Sequence, residues 1–507
     1  VIVTTATGAA LRRIQLGNAL SAFGNGFTVP FTFVYVAQVR GLGAGVAGAV
    51  LAMFAAAALV VLPFTGRAID RRGPVPVAVV GTVLAASGSL GLGLSGQEPV
   101  VIAAAGVMGA GIAVVQPALA TMIVWCSTTA TRSRAFAVQF FLNNVGLGVG
   151  GVLGGLIVDT AHPASFIRLF AIEASMFLVL GAVAATTRIP GSSASAAGLL
   201  LEVEGGPDTT GVHAVDGRRT GGAWRALARD RAMVMVCVLG FVMFFACYGQ
   251  FESGLSAYAV EVTRISPATL GGALAANTAM IVAAQFVVLK LVERRRRSRV
   301  IAGVGLVWAV AWLAAGASGL IHGSHALAVA AVISTYALFG LGETMLAPTV
   351  NPLVADLAPE RMVGQYNAAF SLVKQLALAL GPAVAGLVAA AGAYQAYIVM
   401  LVVCSLLVSA VALRMARHLS AEQDSPHHAR VVARTVRRPD GAASATGAEP
   451  APALPVEAGG SPAEEEVPAE PGAPVIPAVR DGREPAPSTA RPASGSAGSV
   501  EPECVSC

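Results

Sequence analysis

Twelve apolar runs, each near the length that crosses a bilayer, constrain this chain more than any other feature. They fall at about 14–38, 43–65, 74–94, 99–125, 135–158 and 164–187, then at 232–256, 267–289, 300–321, 326–355, 362–391 and 393–415. A helix needs roughly 20 apolar residues to span the hydrocarbon core. Backbone groups in hydrocarbon must be satisfied within their own segment, so runs of this length are expected to be helices. Only 12% of the 507 residues are charged, against about 25% in soluble proteins. The fold class that follows is an all-α membrane protein. The runs divide into an N-terminal six-helix bundle, 1–187, and a C-terminal one, 232–419, joined by a polar linker at 188–231. Residues 420–507, rich in Pro, Ala, Gly, Ser and Glu, lack the apolar content to offset ordering entropy and read as a disordered tail.

Charge sets the expected topology. Arg12, Arg13, Arg67, Arg71, Arg72, Arg132, Arg134, the four arginines 294–297, Arg299, Arg361, Arg414 and Arg417 all fall on one side of the predicted spans. The other side holds little beyond Arg40 and Arg264. Short cytoplasmic loops collect Lys and Arg, so both termini are expected in the cytoplasm and the protein in the plasma or inner membrane. No small-residue cleavage site follows Arg12-Arg13, so the first run is expected to be retained. From Ser420 onward 7 basic and 13 acidic residues give −6, which leaves +11 (26 − 15) on the rest. That excess reads as topology and not as a nucleic-acid surface. The six cysteines show no secreted-scaffold spacing, and reduced thiols are expected. The terminal Cys504-Val505-Ser506-Cys507 lacks the context of a redox motif.

The halves match each other at fixed offsets. Gly17 and Gly26 correspond to Gly240 and Gly249 (240 − 17 = 223), and Asp70-Arg71-Arg72 to Glu293-Arg294-Arg295 at the same spacing. Farther on the offset is 231 (340 − 109): Gly109, Gly111 and Pro117 match Gly340, Gly342 and Pro348, while Gly150 and Gly155 match Gly381 and Gly386. A shared offset that carries an acid followed by two arginines argues for duplication. Repeated halves of this kind place a site at mid-membrane between them.

Two motifs add a family likeness. Gly66-Arg67-Ala68-Ile69-Asp70-Arg71-Arg72-Gly73 has the pattern G-x-x-x-D-R-x-G, which resembles the signature loop between helices 2 and 3 of the major facilitator superfamily of secondary transporters. Gly146-x-Gly148-x-Gly150-Gly151-x-x-Gly154-Gly155 in the fifth run looks like the glycine-rich motif of that superfamily's drug–proton antiporter branch. Its usual proline is Gly151 here, and the proline appears in the repeat mate Gly381-Pro382. The branch's fourth-helix arginine is replaced by Ala105, and the signature loop's last basic pair by Pro74-Val75. The resemblance covers about 12–415. It implies two pseudo-symmetric six-helix bundles and a latch in which the Asp70 carboxylate meets the start of the eleventh helix near Met362 to Gln365. Gly66, Arg71, Gly73, Glu293 and Arg294 belong to that latch and its repeat, with Arg132 or Arg134 as a second partner of Asp70. Gly146, Gly150, Gly154, Gly155, Gly381, Pro382 and Gly386 are expected to pack helices backbone to backbone.

Ionisable groups in hydrocarbon are costly, so each needs a reason. Glu343 lies 13 residues (356 − 343) from Asp356, and Lys374 13 residues (374 − 361) from Arg361, both of them end markers on the basic side. At 1.5 Å per residue each is about 20 Å deep, on adjacent helices, where they could pair. Either a structural ion pair or a proton or substrate site fits. Asn143 and Asn144 are the repeat mates of Lys374 and Gln375 (374 − 143 = 231). Asn18, Ser21, Asn25, Thr28 and Thr32 share one face of the first helix. Gln116, Asn277 and Gln285 add polar groups from the fourth and eighth runs. Glu252 falls toward the outer end of the seventh and is the fallback proton site. No P-loop, nucleotide-binding, metal or nucleophile pattern occurs, so no cofactor is expected and transport would run on a gradient. The expected function is a proton-coupled exporter of small organic compounds, a monomer whose partners are lipid, substrate and protons. A metabolite or sugar carrier and a non-transporting membrane sensor are the rivals.

Overall fold

The apolar runs are helical through most of their length; the first breaks at Pro30 and the tenth at Pro348, whereas Pro63, Pro117 and Pro382 stay inside unbroken helices. The computed structural model describes residues 2–159, 162–189, 220–251 and 253–425. The helices are α1 (Ile2–Thr28), α2 (Gly43–Arg72), α3 (Pro74–Leu94), α4 (Glu98–Trp125), α5 (Thr129–Ile157) and α6 (Pro163–Thr186). The second half holds α7 (Arg231–Ala246), α8 (Pro267–Val292), α9 (Arg297–Leu320), α10 (His325–Leu346), α11 (Val363–Ala390) and α12 (Tyr394–Met415). Among the described residues, eleven helical stretches are long and apolar enough to cross a membrane, and the bent pair Gly8–Thr28 and Thr32–Val39, angled by 41°, makes a twelfth when counted as one span. Pro30 sits at that bend, where its missing N–H and fixed φ interrupt the helix. Large apolar side chains face outward, Phe64 at 71% exposure and Leu156 at 78%. On a water-facing surface they would be a liability; against lipid they are ordinary.

Several boundaries differ from the sequence reading. The residues ahead of the first apolar run are helical from Ile2 and continuous with α1. The signature stretch is not a loop: Gly66 to Arg72 form the last turns of α2, and Gly73 alone leaves the helix, at φ 83°. Glycine tolerates that left-handed conformation, and Pro74 then opens α3 with a φ already suited to a helix. The end of the expected linker is also helical, at Thr220–Arg229, and Asp230 caps α7 by accepting from the Ala232 and Met233 amides at 3.0 and 3.2 Å. Past Leu419 the chain makes one more capped turn, Ala421–Asp424. The rest of the expected linker, from residue 190 to 219, and the expected tail from 426 onward lie outside the described residues, as does Glu252.

Duplication is visible at atomic contact distance. A Cβ on Gly150 of α5 would stand 3.1 Å from the Gly26 Cα on α1; one on Gly249, at the end of the seventh span, would stand 3.1 Å from the Gly381 Cα on α11. Gly109 packs on the Phe54 backbone and Gly340 on the Asn277 backbone, and these partners again differ by 223 (277 − 54). The repeat seen in the sequence is therefore a repeat of helix crossings. Of the other expected packing glycines, Gly146 lies against the Ala19 carbonyl and Gly154 against Phe27 and Phe31, whereas Gly386 has open space where a Cβ would be.

Candidate functional site

A cavity of about 250 Å³ opens between the two halves. The first half contributes Asn18, Gln116, Gln139 and Asn143; the second contributes Tyr248, Glu343, Asn351, Asn367, Lys374 and Gln375. Most of these are amides, and the walls between them are mainly apolar, Leu62, Phe136, Met243 and Val350 among them. The repeat mates Asn143 and Lys374 both line the cavity. Asn143 is fixed by its neighbours, its Oδ1 accepting from Asn18 Nδ2 at 3.0 Å and from Gln139 Nε2 at 2.9 Å. Beside it a smaller pocket of about 30 Å³ is lined by Asn18, Ser21, Asn25, Gln116 and Asn143. Asn144 turns instead to the Phe140 carbonyl at 2.9 Å. Thr28 and Thr32 leave the expected polar face to bond within the first bundle.

Glu343 is 6% exposed and accepts from Asn277 Nδ2 at 3.2 Å, whose amide also reaches the Tyr336 carbonyl at 3.3 Å. Asn277 is thus behind the carboxylate, holding it. Beyond Glu343 the α10 helix ends at Leu346, Pro348 follows in the break, and the chain resumes helically at Val350–Leu357. Lys374 Nζ lies 5.2 Å from the centre of the Phe244 ring, in cation–π range. Glu343 and Lys374 share the cavity but make no ion pair with each other among the described residues. The pair that the sequence allowed is therefore not formed, and the two side chains are held by different neighbours. Neither side-chain atom of Gln285 finds a partner, although the residue is fully buried.

The end of the molecule that carries the basic residues is closed by two contacts between the halves. Asp70 Oδ1 accepts from the Gly364 amide at 2.6 Å and Oδ2 from the Gln365 amide at 3.0 Å. The first-turn amides of α11 have no partner within the helix and carry partial positive charge, so a carboxylate satisfies both needs. Gly66 and Gly364 make the approach possible: a Cβ on Gly66 would stand 2.6 Å from the Gln365 Cα, and one on Gly364 2.7 Å from Asp70 Oδ1. The second contact centres on Asp356. Its Oδ1 pairs with Arg132 from the first half, and its Oδ2 with Arg297 Nη1 at 2.6 Å. Arg297, 1% exposed, also reaches Ser133 of the first half at 3.5 Å. Of the two arginines offered as a second partner of Asp70, Arg132 pairs with Asp356 and Arg134 is exposed.

The Major Facilitator Superfamily model matches residues 15–382 and, overlapping, 264–455. The chain belongs to that superfamily. An uncharacterized MFS-type transporter of Escherichia coli strain K12, YdeE, is 22% identical over 389 residues, 73% of this chain and 86% of that protein. Multidrug resistance protein 1 of Bacillus subtilis strain 168 is 26% identical over 170 residues, 33% of this chain and 43% of that one. Among solved structures, the E. coli fucose:proton symporter FucP superposes with a TM-score of 0.62 at 13% identity, covering 82% of this chain and all of that one. A bacterial homologue of the iron transporter ferroportin in an outward-facing state gives 0.61 at 14% identity, with 80% and 99% coverage. At these identities the structural likeness concerns the fold. The protein is thus a multi-pass membrane transporter of the superfamily.

For a major facilitator chain, two features went unseen in the sequence. Asp356 and Arg297 entered only as an end marker and as one of four consecutive arginines, yet they form the centre of the closed end. Glu173 on α6 went unremarked altogether. It is fully buried, accepting from Thr28 Oγ1 at 2.7 Å and Ser89 Oγ at 2.6 Å. An acid in the middle of an apolar run was the available signal.

Proposed function

We propose that this transporter is a proton-coupled exporter of small organic compounds that works by alternating access, with both termini in the cytoplasm. Glu343 is the observation that carries the reading: a carboxyl on the wall of the cavity between the halves, held by an amide and in no ion pair among the described residues. A carboxyl so placed can exchange a proton with whatever occupies the cavity, and coupling needs that exchange to alternate with substrate occupancy. Lys374 adds an amine on another helix of the cavity wall, and the amides orient the substrate. The contacts of Asp70 and Asp356 bind the halves on the cytoplasmic side; breaking them lets the halves rock around the cavity. Similarity to a multidrug resistance protein over 170 residues supports export. The test is efflux into inverted vesicles driven by an imposed pH gradient.

A second reading has its own support. Seven amide side chains line the cavity, Asn18, Gln116, Gln139, Asn143, Asn351, Asn367 and Gln375. Amides donate and accept at once, which suits the hydroxyls of a sugar-like metabolite. Competition of radiolabelled sugars against a drug panel in the same vesicles separates the two readings.

A further inference from the structure

On the same face as the latch, away from the cavity, lies a second concave surface. It is a groove of about 1060 Å³ at the junction of α8 and α9, lined by Lys290, Arg294, Arg295, Arg296 and Arg299, with Glu293 the acid among its lining residues. All five basic residues are exposed. Val287 and Leu291, which line the same groove, are 70% and 59% exposed and sit on the outward face of α8. The arginines lie past the end of α8 and at the start of α9, while Val287 and Leu291, with Lys290 between them in sequence, give the groove an apolar side on a helix long and apolar enough to cross a membrane.

From this geometry we infer that the groove is a binding site for an anionic phospholipid. Its phosphate is held by the arginine forks, and its acyl chains run along Val287 and Leu291. Guanidinium groups bind phosphate through paired N–H donors, which a cluster of arginines presents in several directions. Five neighbouring cations beside one acid repel each other, and a bound anion relieves that repulsion. A free soluble phosphate would leave the apolar wall unused. The chain's own next segment is a poor occupant: between Ser425, which lines the groove, and Asp440 it carries Arg430, Arg434, Arg437 and Arg438 and no acid.

The groove adjoins the contact centred on Asp356. Arg297 and Ser298, between the groove-lining Arg296 and Arg299, point inward. Arg297 holds Asp356, and Ser298 donates from its amide and hydroxyl to Asp424 at 2.8 and 3.0 Å.

The test uses the full chain, purified in neutral detergent and titrated with phosphatidylglycerol or phosphatidylcholine. Lipid retention is read by native mass spectrometry and stability by the thermal midpoint. Phosphatidylglycerol is expected to bind at least tenfold more tightly than phosphatidylcholine. The combined change Lys290→Gln, Arg295→Gln, Arg296→Gln and Arg299→Gln is expected to weaken it at least tenfold. Arg12→Gln, Arg13→Gln, Arg67→Gln and Arg72→Gln, an equal loss of charge on the same face, should change it less than threefold. Should the fourfold groove variant fail to fold, the single change Arg299→Glu makes the same comparison. Equal binding of the two lipids, or equal loss in both fourfold variants, overturns the site. So does binding that appears only after Glu464→Gln, Glu465→Gln and Glu466→Gln, because the acidic tail would then be the occupant.

Discussion

Glu343 and Lys374 occupy one cavity without pairing, and that separation decides what each should do when changed. A buried ion pair loses most when one member is removed, because the other is stranded. Two charges held by different partners can be changed one at a time. Lys374→Met is therefore expected to leave the protein folded and to shift its substrate preference toward cations, by about tenfold in the ratio of cationic to neutral substrate efflux. Glu173 makes the opposite kind of case. Its two hydroxyl partners each have a backbone acceptor as well, Ser89 on the Phe170 carbonyl at 3.0 Å and Thr28 on the Asn25 carbonyl at 3.3 Å. Glu173→Gln strands neither hydroxyl and should change stability by less than about 1 kcal/mol. Ser89→Ala strands part of a buried carboxyl and should cost about 1–3 kcal/mol. Thermal midpoints of the two variants in one detergent check the asymmetry.

At the scale of elements, the closed end rests on a carboxylate at a helix start and on an acid shared by two arginines. Asp70→Asn removes the charge facing the α11 amides, a contribution of about 0.3–2 kcal/mol, and should raise the population open on the basic side. Cysteine accessibility on that face, measured by labelling, should rise by a few-fold with membrane insertion unchanged. The turn that follows α12 is a smaller element with a separable effect. Asp424 caps the start of α9 through Ser298, and Gln423 offers its carbonyl to Arg297 at 2.9 Å. A chain ending at Leu419 should therefore be less stable than one ending at Ser425 by about 0.5–2 kcal/mol, the usual value of a cap. Much of this level was legible in the sequence. Run length gave the helices, and the glycine offsets gave the crossings, because small residues recur wherever two backbones must touch. The partner of Arg132 was not legible, since pairing between distant helix ends depends on how the halves seat together. Nor was the helical nature of Gly66 to Arg72, where charge density suggested a loop but only Gly73 needs a non-helical backbone.

For the whole molecule, two bundles related by duplication meet around a polar cavity and are latched at one face. Membership in the Major Facilitator Superfamily makes that arrangement a transporter; proton coupling is the claim that Glu343 must carry. The direct measurement is efflux driven by a pH gradient in inverted vesicles, comparing the wild type with Glu343→Gln alongside substrate binding to both. Glutamine keeps the shape and the Asn277 contact but cannot exchange a proton. The expected result is gradient-driven accumulation reduced to the passive level in Glu343→Gln, with substrate affinity within about threefold of the wild type. Full gradient-driven accumulation in that variant would contradict the assignment and move the search for the proton site to Glu252.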